Sequence, residues 1–172
     1  PTFGAALSVH NAVRSLLAQD LPRDQYEVIV VDSSPDESVA RVVAELQADA
    51  SCSLRFLRKK AEGPGPSRTL GAAEGRGEFI AFMDSDCVAS PGWLRSGIAA
   101  FADSVGLVQG RTLPDPAVPT GVLTWYVKIE NENHIYECAN IFYRRSAFQQ
   151  AGGFSAEYND AAEHAMGGED LD

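Results

Sequence analysis

The stretch Phe79-Ile80-Ala81-Phe82-Met83-Asp84-Ser85-Asp86 decides the fold class, because an apolar run ends abruptly on two carboxylates one residue apart. An uncharged apolar run of this length predicts a strand buried on both faces, as in a parallel sheet covered by helices. Asp84 and Asp86 would then lie at the carboxyl end of that strand, where open α/β sheets bind ligands. Two anions this close repel each other unless a cation lies beside them, and carboxylate oxygens suit Mg²⁺ and Mn²⁺. The stretch therefore predicts a divalent-metal site.

A second apolar run, Val28–Val31, ends on a carboxylate in the same way, at Asp32. Neighbouring parallel strands bring their carboxyl ends to one edge of a sheet, so three carboxylates are expected to converge on one crevice. The alternative is that these aspartates merely end strands and start turns, since Asp and Ser favour such places. The repetition at two strands favours the crevice.

The remaining pattern predicts one α/β domain over residues 1–172, with a mostly parallel central sheet and helices on both faces. After Asp32, the residues Ser34-Pro35-Asp36-Glu37 look like a capping box that opens a helix. Strand, helix and strand in this order form a parallel unit. The predicted helices are Ala6 to about Gln19, a helix after Glu37, Ser67–Ala73, one from Trp93 and Ser146–Ala151; further strands are Leu54–Leu57, Val105–Gln109 and Ala139–Tyr143.

Between these elements lie segments without regular periodicity. The Gly- and Pro-rich stretch Lys59–Pro66 and the stretch Arg111–Thr124 are predicted loops, and Gly152–Phe154 is a predicted turn. Trp125–His134 is expected to be partly helical, and the acidic Ser155–Asp172 to be a loop. We expect residues 1–110 to form the part that binds the ligand of the crevice and residues 111–172 to form a second part of the same domain.

Composition narrows the function classes. Hydrophobic residues make up 45% and charged residues 22%, as in ordinary soluble domains, and the formal net charge is −10. Such an acidic chain argues against nucleic-acid binding. Its three cysteines show neither disulfide nor zinc spacing, which favours a reducing compartment. No window is long and apolar enough for a membrane span, and no export signal is visible. Both ends look cut, which suggests a fragment of a longer protein.

Several single residues can be interpreted either as structural or as functional. Ser34 and Asp36 are better explained as helix caps than as ligands. Arg68 is a cation at the start of a helix just before Phe79, and alone it could be a solvated charge. Cys87 is expected to pack, since no His base is placed beside it. Glu169 and Asp170 follow two glycines and could be a solvated charge run or a special site.

Taken together, the motifs resemble a family 2 glycosyltransferase with the Rossmann-like GT-A fold. The resemblance covers nearly the whole chain and rests on the order and spacing of the following segments: Pro1-Thr2-Phe3, Val30-Val31-Asp32, Arg68–Gly71, Phe82–Asp86, Trp93-Leu94, Gly152-Gly153-Phe154 and Gly168-Glu169-Asp170. Each segment is weak by itself, whereas the ordered set is specific.

The resemblance implies an inverting transfer of a sugar from a nucleotide diphosphate to an acceptor hydroxyl. A UDP-sugar is the favoured donor, and guanosine or thymidine donors remain open. The acceptor would be a saccharide, a lipid-linked group or another alcohol. Asp32 would hydrogen-bond the base, in a pocket lined by Pro1, Thr2, Ser34 and Arg68. Asp84, with Ser85, would lie near the ribose, and Asp86 would bind Mn²⁺ or Mg²⁺. Asp170 would be the catalytic base, assisted by Glu169.

General chemistry is compatible with these implied roles. A departing diphosphate needs its developing charge stabilised, and the acceptor hydroxyl needs one general base. A glycosidase would instead need two carboxylates that flank the sugar bond. We expect a cytoplasmic location, at the inner face of a membrane through further parts or partners.

The chain departs from the family pattern at four points. Ser33 stands where a second acidic residue is common, and Thr69 stands where Asn is common. The strand that precedes Pro1 in the family is missing, and so is everything after Asp170 and its neighbours. Activity of residues 1–172 alone is therefore in question.

Two other classes remain open from the residues. Asp84-Ser85-Asp86-Cys87-Val88 also fits the first motif of haloacid-dehalogenase-like phosphatases, although strands precede it here. Asp32-Ser33-Ser34 followed by Asp36 is a near miss to the metal-dependent adhesion motif of von Willebrand A domains, which has Ser in place of Asp36. The first would be an enzyme of a different reaction, and the second a binding module.

Overall fold

The computed structural model describes residues 1–2, 6–117, 127–131 and 135–154. Within these ranges helices and strands alternate along most of the chain, which confirms the predicted α/β class. The elements are α1 (Ala6–Leu17), β1 (Glu27–Asp32), α2 (Ser38–Ala48), β2 (Ser53–Arg58), α3 (Pro64–Glu74), β3 (Phe79–Met83), α4 (Trp93–Ala99), β4 (Leu107–Gln109), β5 (Asn140–Arg144) and α5 (Arg145–Gln150).

A two-stranded parallel sheet is built from β1 and β2, in register from Glu27 opposite Ser53 to Asp32 opposite Arg58. Helix α2 connects the two strands, as expected for a parallel unit. Valine and leucine side chains from α1, α2 and both strands fill the core below: Val9, Val13, Val28, Val30, Val39, Val43 and Leu54. The β-branched residues of β1 suit a pleated, buried surface, and so this sheet holds Asp32 on a rigid element.

The second sheet has the strand order β3-β5-β4, and both pairs are antiparallel. Phe79 lies opposite Arg144, and Met83 opposite Asn140. The parallel sheet predicted from the run Phe79–Met83 is therefore present at β1 and β2, whereas β3 takes an antiparallel partner. Burial of β3 alternates accordingly, with Ile80 and Phe82 buried and the other three residues half-buried.

A cavity of about 340 Å³ lies between the two sheets, and residues of β1, β3 and α3 line it. No pairing between β1 and β3 is found in the described ranges. Helix α3 connects the two sheets at their carboxyl ends: the hydroxyls of Ser67 and Ser33 lie 3.4 Å apart, and Arg68 reaches Asp84. Gly71 allows this close approach, because a Cβ there would lie 3.2 Å from the Cγ2 of Val31. The ends of β1 and β3 therefore meet around α3.

Three local predictions need correction. Helix α2 begins at Ser38, with Glu37 at the N-cap position, so Ser34 does not cap this helix as predicted. Asp36, however, accepts a hydrogen bond from the Ser38 amide at 2.9 Å. Helix α3 begins at Pro64, inside the predicted loop, because proline fits the first helical turn. Of the expected partial helix at 125–134, residues 127–131 are described, and there Ile129 forms an antiparallel bridge with Thr112.

Other predicted features agree with the described structure. Gly152 and Gly153 have φ values of 86° and 77°, which only glycine adopts easily, and so confirm the turn. Cys52, Cys87 and Cys138 are free thiols. No helix within the described ranges is long and apolar enough to cross a membrane.

Candidate functional site

Asp32 ends β1 with a side chain that is completely buried. One carboxylate oxygen, Oδ1, accepts hydrogen bonds from the backbone amide of Ser34 at 3.0 Å and from the Ser34 hydroxyl. The other oxygen, Oδ2, accepts a hydrogen bond from Nη1 of Arg58 at 2.8 Å. Ser34 thus donates hydrogen bonds to Asp32 and does not cap α2, because a buried carboxylate needs donors more than an exposed helix end does.

Thr2 lies directly beside Asp32. Its amide donates to the Val31 carbonyl at 3.0 Å, and its carbonyl accepts from the Ser33 amide at 3.1 Å, which makes a parallel bridge to Asp32. The Thr2 hydroxyl is buried and has no hydrogen-bond partner among the described residues. A buried hydroxyl without a protein partner is a group that a polar ligand could satisfy.

Pro1 adjoins the same region. It lines the cavity to which Arg68 and Ser67 contribute. The structure therefore places Pro1 near Arg68.

Arg68 and Asp84 form the central ion pair of the region. Nη2 of Arg68 lies 3.0 Å from Oδ1 of Asp84, and the arginine side chain is only 5% exposed whereas the aspartate is 32% exposed. The guanidinium also lies 5.8 Å from the ring centre of Phe154. The predicted cation is thus a buried partner of the predicted carboxylate, and its alternative as a solvated charge is wrong.

Asp84, Ser85 and Asp86 make the turn that follows β3. The Asp84 carbonyl accepts a hydrogen bond from the Cys87 amide at 3.1 Å, which turns the Asp86 side chain into an exposed position. Burial, together with the negative charges of Asp86 and Asp84, raises the pKa of the Cys87 thiol to about 12. A thiol that stays protonated at neutral pH packs and does not attack, in line with the expectation for Cys87.

Beyond the turn opens a second cavity, of about 940 Å³, whose lining includes both Asp84 and Asp86. Its far wall is held by Asn140, whose Oδ1 accepts from Nε1 of Trp93 and whose Nδ2 donates to the Arg111 carbonyl, both at 2.8 Å. The two carboxylates therefore face a space large enough for a small ligand.

A divalent cation fits Asp86 in chemical terms. Within the described ranges, no group of three or more acidic, His or Cys side chains is arranged so that it could hold a metal ion by itself. Mg²⁺ in proteins is commonly held by one or two carboxylates, with the other ligands supplied by water and substrate phosphates. The exposed Asp86, with Asp84 nearby at the cavity wall, supplies such a donor set, provided that a ligand brings the remaining oxygens.

The sequence reasoning missed Arg58 and Asn140. Arg58 lies opposite Asp32 in the β1–β2 register, but the predicted strand ended one residue earlier, at Leu57. Pairing the two predicted strands in a parallel register that ends at Asp32 would have placed Arg58 opposite it. The predicted pair Glu169 and Asp170 lies outside the described residues, whereas Pro1, Thr2, Asp32, Ser34, Arg68, Asp84, Ser85 and Asp86 lie within them.

Solved structures of glycosyltransferases with the GT-A fold resemble this arrangement of sheets and helices. A mannosyltransferase from Pyrobaculum calidifontis, in complex with GDP-mannose and Mn²⁺, superposes with a TM-score of 0.74 at 19% identity, over 91% of this chain and 46% of its own. Residues 1–349 of Staphylococcus aureus TarS in complex with UDP give a TM-score of 0.74 at 24% identity, over 99% and 51%. The fold is therefore that of GT-A glycosyltransferases.

The chain belongs to glycosyl transferase family 2, whose profile matches residues 1–152. Among curated relatives, the poly(ribitol-phosphate) β-N-acetylglucosaminyltransferase TarS of Staphylococcus aureus is 29% identical over 103 residues, covering 60% of this chain and 18% of TarS. Glycosyltransferase AglE of Haloferax volcanii is 20% identical over 163 residues, covering 90% and 54%. The chain thus spans about half or less of the length of these relatives, and the phosphatase and adhesion-domain alternatives are not favoured.

Proposed function

We propose that this chain is the donor-binding part of an inverting glycosyltransferase that moves a sugar from a nucleotide diphosphate to an acceptor hydroxyl. The observation that carries the proposal is the Arg68–Asp84 ion pair, with Asp32 and Asp86 held nearby at the carboxyl ends of β1 and β3. Ligands of open α/β sheets bind at such ends. Family membership supplies the reaction class.

The donor groups divide among these residues. Asp32 takes the base, in a pocket with Pro1, Thr2, Ser34 and Arg68, and the unsatisfied Thr2 hydroxyl supports a polar ligand there. Asp84 and Ser85 lie toward the ribose and Asp86 toward the diphosphate. A UDP-sugar is favoured, because the structural neighbour TarS has been solved in complex with UDP and in complex with UDP-GlcNAc.

The reaction requires departure of the diphosphate with an electron pair and transfer of the acceptor proton to a base. The acceptor oxygen forms a bond to the anomeric carbon from the face opposite the diphosphate, the bond from that carbon to the phosphate oxygen breaks, and its electron pair leaves with the diphosphate. The acceptor proton passes to a general base, which we assign to Asp170, with Glu169 binding the acceptor. Asp86 would hold Mn²⁺ or Mg²⁺, which when bound would stabilise the negative charge that develops on the diphosphate.

The division of the domain follows from these assignments. Residues 1–110 would bind the donor and residues 111–172 would form the acceptor side, with a saccharide, lipid-linked group or other alcohol as acceptor. We place the protein in the cytoplasm, at the inner face of a membrane through further parts or partners.

Calorimetry of the wild-type protein with UDP tests the donor site. We expect binding that is stronger with Mn²⁺, and loss of this metal dependence in Asp86→Ala. Because Asp86 is exposed, its removal should change the free energy of unfolding by less than about 0.5 kcal/mol. Asp103→Ala, which removes an exposed carboxylate in the α4–β4 turn, is the matched control and should bind like the wild type. No affinity for UDP or another nucleotide diphosphate would refute the donor site.

The base assignment is tested separately, by sugar transfer in the full-length protein. Asp170→Asn should lower kcat strongly and leave UDP binding unchanged, because the variant lacks only the carboxylate that accepts the proton of the acceptor hydroxyl. A near-normal transfer rate in that variant means that another residue is the base.

A further inference from the structure

Arg58 shares an ion pair with the buried carboxylate that the proposed function assigns to the nucleotide base. It ends β2 directly opposite Asp32, and its Nη1 donates to Oδ2 of Asp32 at 2.8 Å. Asp32 has no exposed surface, whereas the Arg58 side chain is 35% exposed. Arg58 is therefore the solvent-exposed member of this ion pair.

The hydrogen bonds around Asp32 define what else it can accept. Its Oδ1 is occupied by the Ser34 amide and hydroxyl, and its Oδ2 by Arg58. A carboxylate oxygen accepts about two hydrogen bonds, so Oδ2 can accept one more, beside the guanidinium. Since Asp32 has no exposed surface, a ligand takes that position only when the residues that cover it move aside. An ionised carboxylate can only accept, and a ligand atom at this position must therefore carry a hydrogen.

Arg58 has more hydrogen-bond donors than its contact with Asp32 uses. Its other bonds run from Nη2 to the Asp36 carbonyl at 2.8 Å and to the Glu37 carboxylate at 3.1 Å. Within the described ranges these bonds leave the Nε hydrogen and one further hydrogen of the planar fork without an assigned acceptor. An acceptor followed by a donor matches the N3–H and the neighbouring carbonyl of uracil. Cytosine could offer its amino group and N3 to the same pair of protein groups only if the ring shifted by one position, which contacts to the ribose would oppose.

We propose that Arg58 is a positioning and specificity-determining residue of the base pocket. It holds Asp32 as an acceptor and adds a donor beside it. With the ring position fixed by the proposed ribose contacts, this pair selects bases with a ring N–H next to a carbonyl, such as uracil, over cytosine. This inference rests on the proposed function, because it takes the ligand of Asp32 to be a nucleotide base. A simple structural role, tying the loop after β1 to β2, would affect all nucleotides equally.

UDP and CDP make a matched pair of probes, since the N3 position donates in uracil and accepts in cytosine. Calorimetry with Mn²⁺ should show the wild-type protein binding UDP at least about tenfold more tightly than CDP, the factor that one hydrogen bond to a charged group supplies. In Arg58→Met the UDP affinity should fall about tenfold or more and the CDP affinity less, so that the preference largely disappears. Glu37→Gln weakens only the outer contact of Arg58 and should keep the wild-type preference.

Arg58→Lys keeps the positive charge and loses the planar fork, and so should show an intermediate preference. If Arg58→Met does not fold, this variant decides the question alone. A wild-type ratio of UDP to CDP affinity in the folded Arg58 variants, even with both affinities reduced, would overturn the specificity role. Failure of the wild type to bind UDP, CDP, GDP or dTDP would instead overturn the proposed function itself.

Discussion

Gly110 is the residue whose substitution the structure predicts most sharply. It follows β4, and its amide donates to the Asn140 carbonyl at 2.9 Å. A Cβ at this position would lie 2.5 Å from both Nδ2 and Oδ1 of Asn140 and 2.6 Å from its Cγ. Because the φ angle of Gly110 is not positive, alanine suits the backbone, and the whole cost of Gly110→Ala comes from this collision.

The magnitude follows from what Asn140 must give up. Its amide cannot stay in place, and when it rotates away it loses its hydrogen bonds with Trp93 and with the Arg111 carbonyl. Each such bond contributes about 1 kcal/mol net, so Gly110→Ala should lower the free energy of unfolding by about 2 kcal/mol. For a chain of this length that corresponds to a fall in Tm of about 4–8 °C.

A double-mutant cycle read by urea and thermal unfolding tests the mechanism. Asn140→Ala removes the same two hydrogen bonds and should also cost about 2 kcal/mol. The double variant has no amide to collide with, so it should be about as stable as Asn140→Ala alone, with a coupling energy near 2 kcal/mol. Additive costs, which would make the double variant about 4 kcal/mol less stable than the wild type, would refute the reasoning.

Three further stability predictions follow. Gly97→Ala would place a Cβ 2.3 Å from the buried ring of Phe142 and should cost about 1–3 kcal/mol in urea unfolding, whereas Gly92→Ala, with its nearest contact at 3.7 Å, should cost much less. Gly153→Ala forces alanine into a φ of 77° and should lower stability by about 1–2 kcal/mol; an unchanged Tm would contradict this. Val43→Ala removes two methyl groups from a fully buried site and should cost about 2 kcal/mol, and a much smaller loss would mean that the core closes around the gap.

The secondary structure was predictable wherever burial imposes a short-range pattern. The run Val28–Val31 and the run before Asp84 are strands because their side chains fill cores on a pleated surface. Pairing was less predictable, since β3 takes its partner β5 from about sixty residues further along the chain, and that choice depends on three-dimensional packing. Local sequence carries no signal for it.

The failed capping box shows how a tertiary contact overrides a local motif. Ser34 has the right type and spacing for an N-cap, but the buried carboxylate of Asp32 takes its hydroxyl and amide. An exposed helix end can bond water, whereas a buried carboxylate without donors is very costly. Asp36, closer to the actual start of α2, supplies the contact instead.

The candidate site was predictable in part because carboxylates at strand ends are visible in the sequence. Arg68 was also visible, as a cation before the last of these strands. Arg58 and Asn140 were not, because their roles depend on strand register and on the approach of β5 to α4, neither of which a single segment encodes.

The three carboxylates at the strand ends end up in different electrostatic states, and this difference argues for different roles. Asp32 is buried with Arg58, and Asp84 is half-buried with Arg68, so each already has a cation. Asp86 is exposed, and within the described ranges no Lys or Arg forms an ion pair with it. A divalent ion that must displace an arginine loses the energy of that pair, whereas one that binds Asp86 does not. Under the proposed function, Asp86 is therefore the carboxylate on which metal dependence should rest, while Asp32 and Asp84 would offer fixed hydrogen-bond acceptors to the neutral parts of a nucleotide.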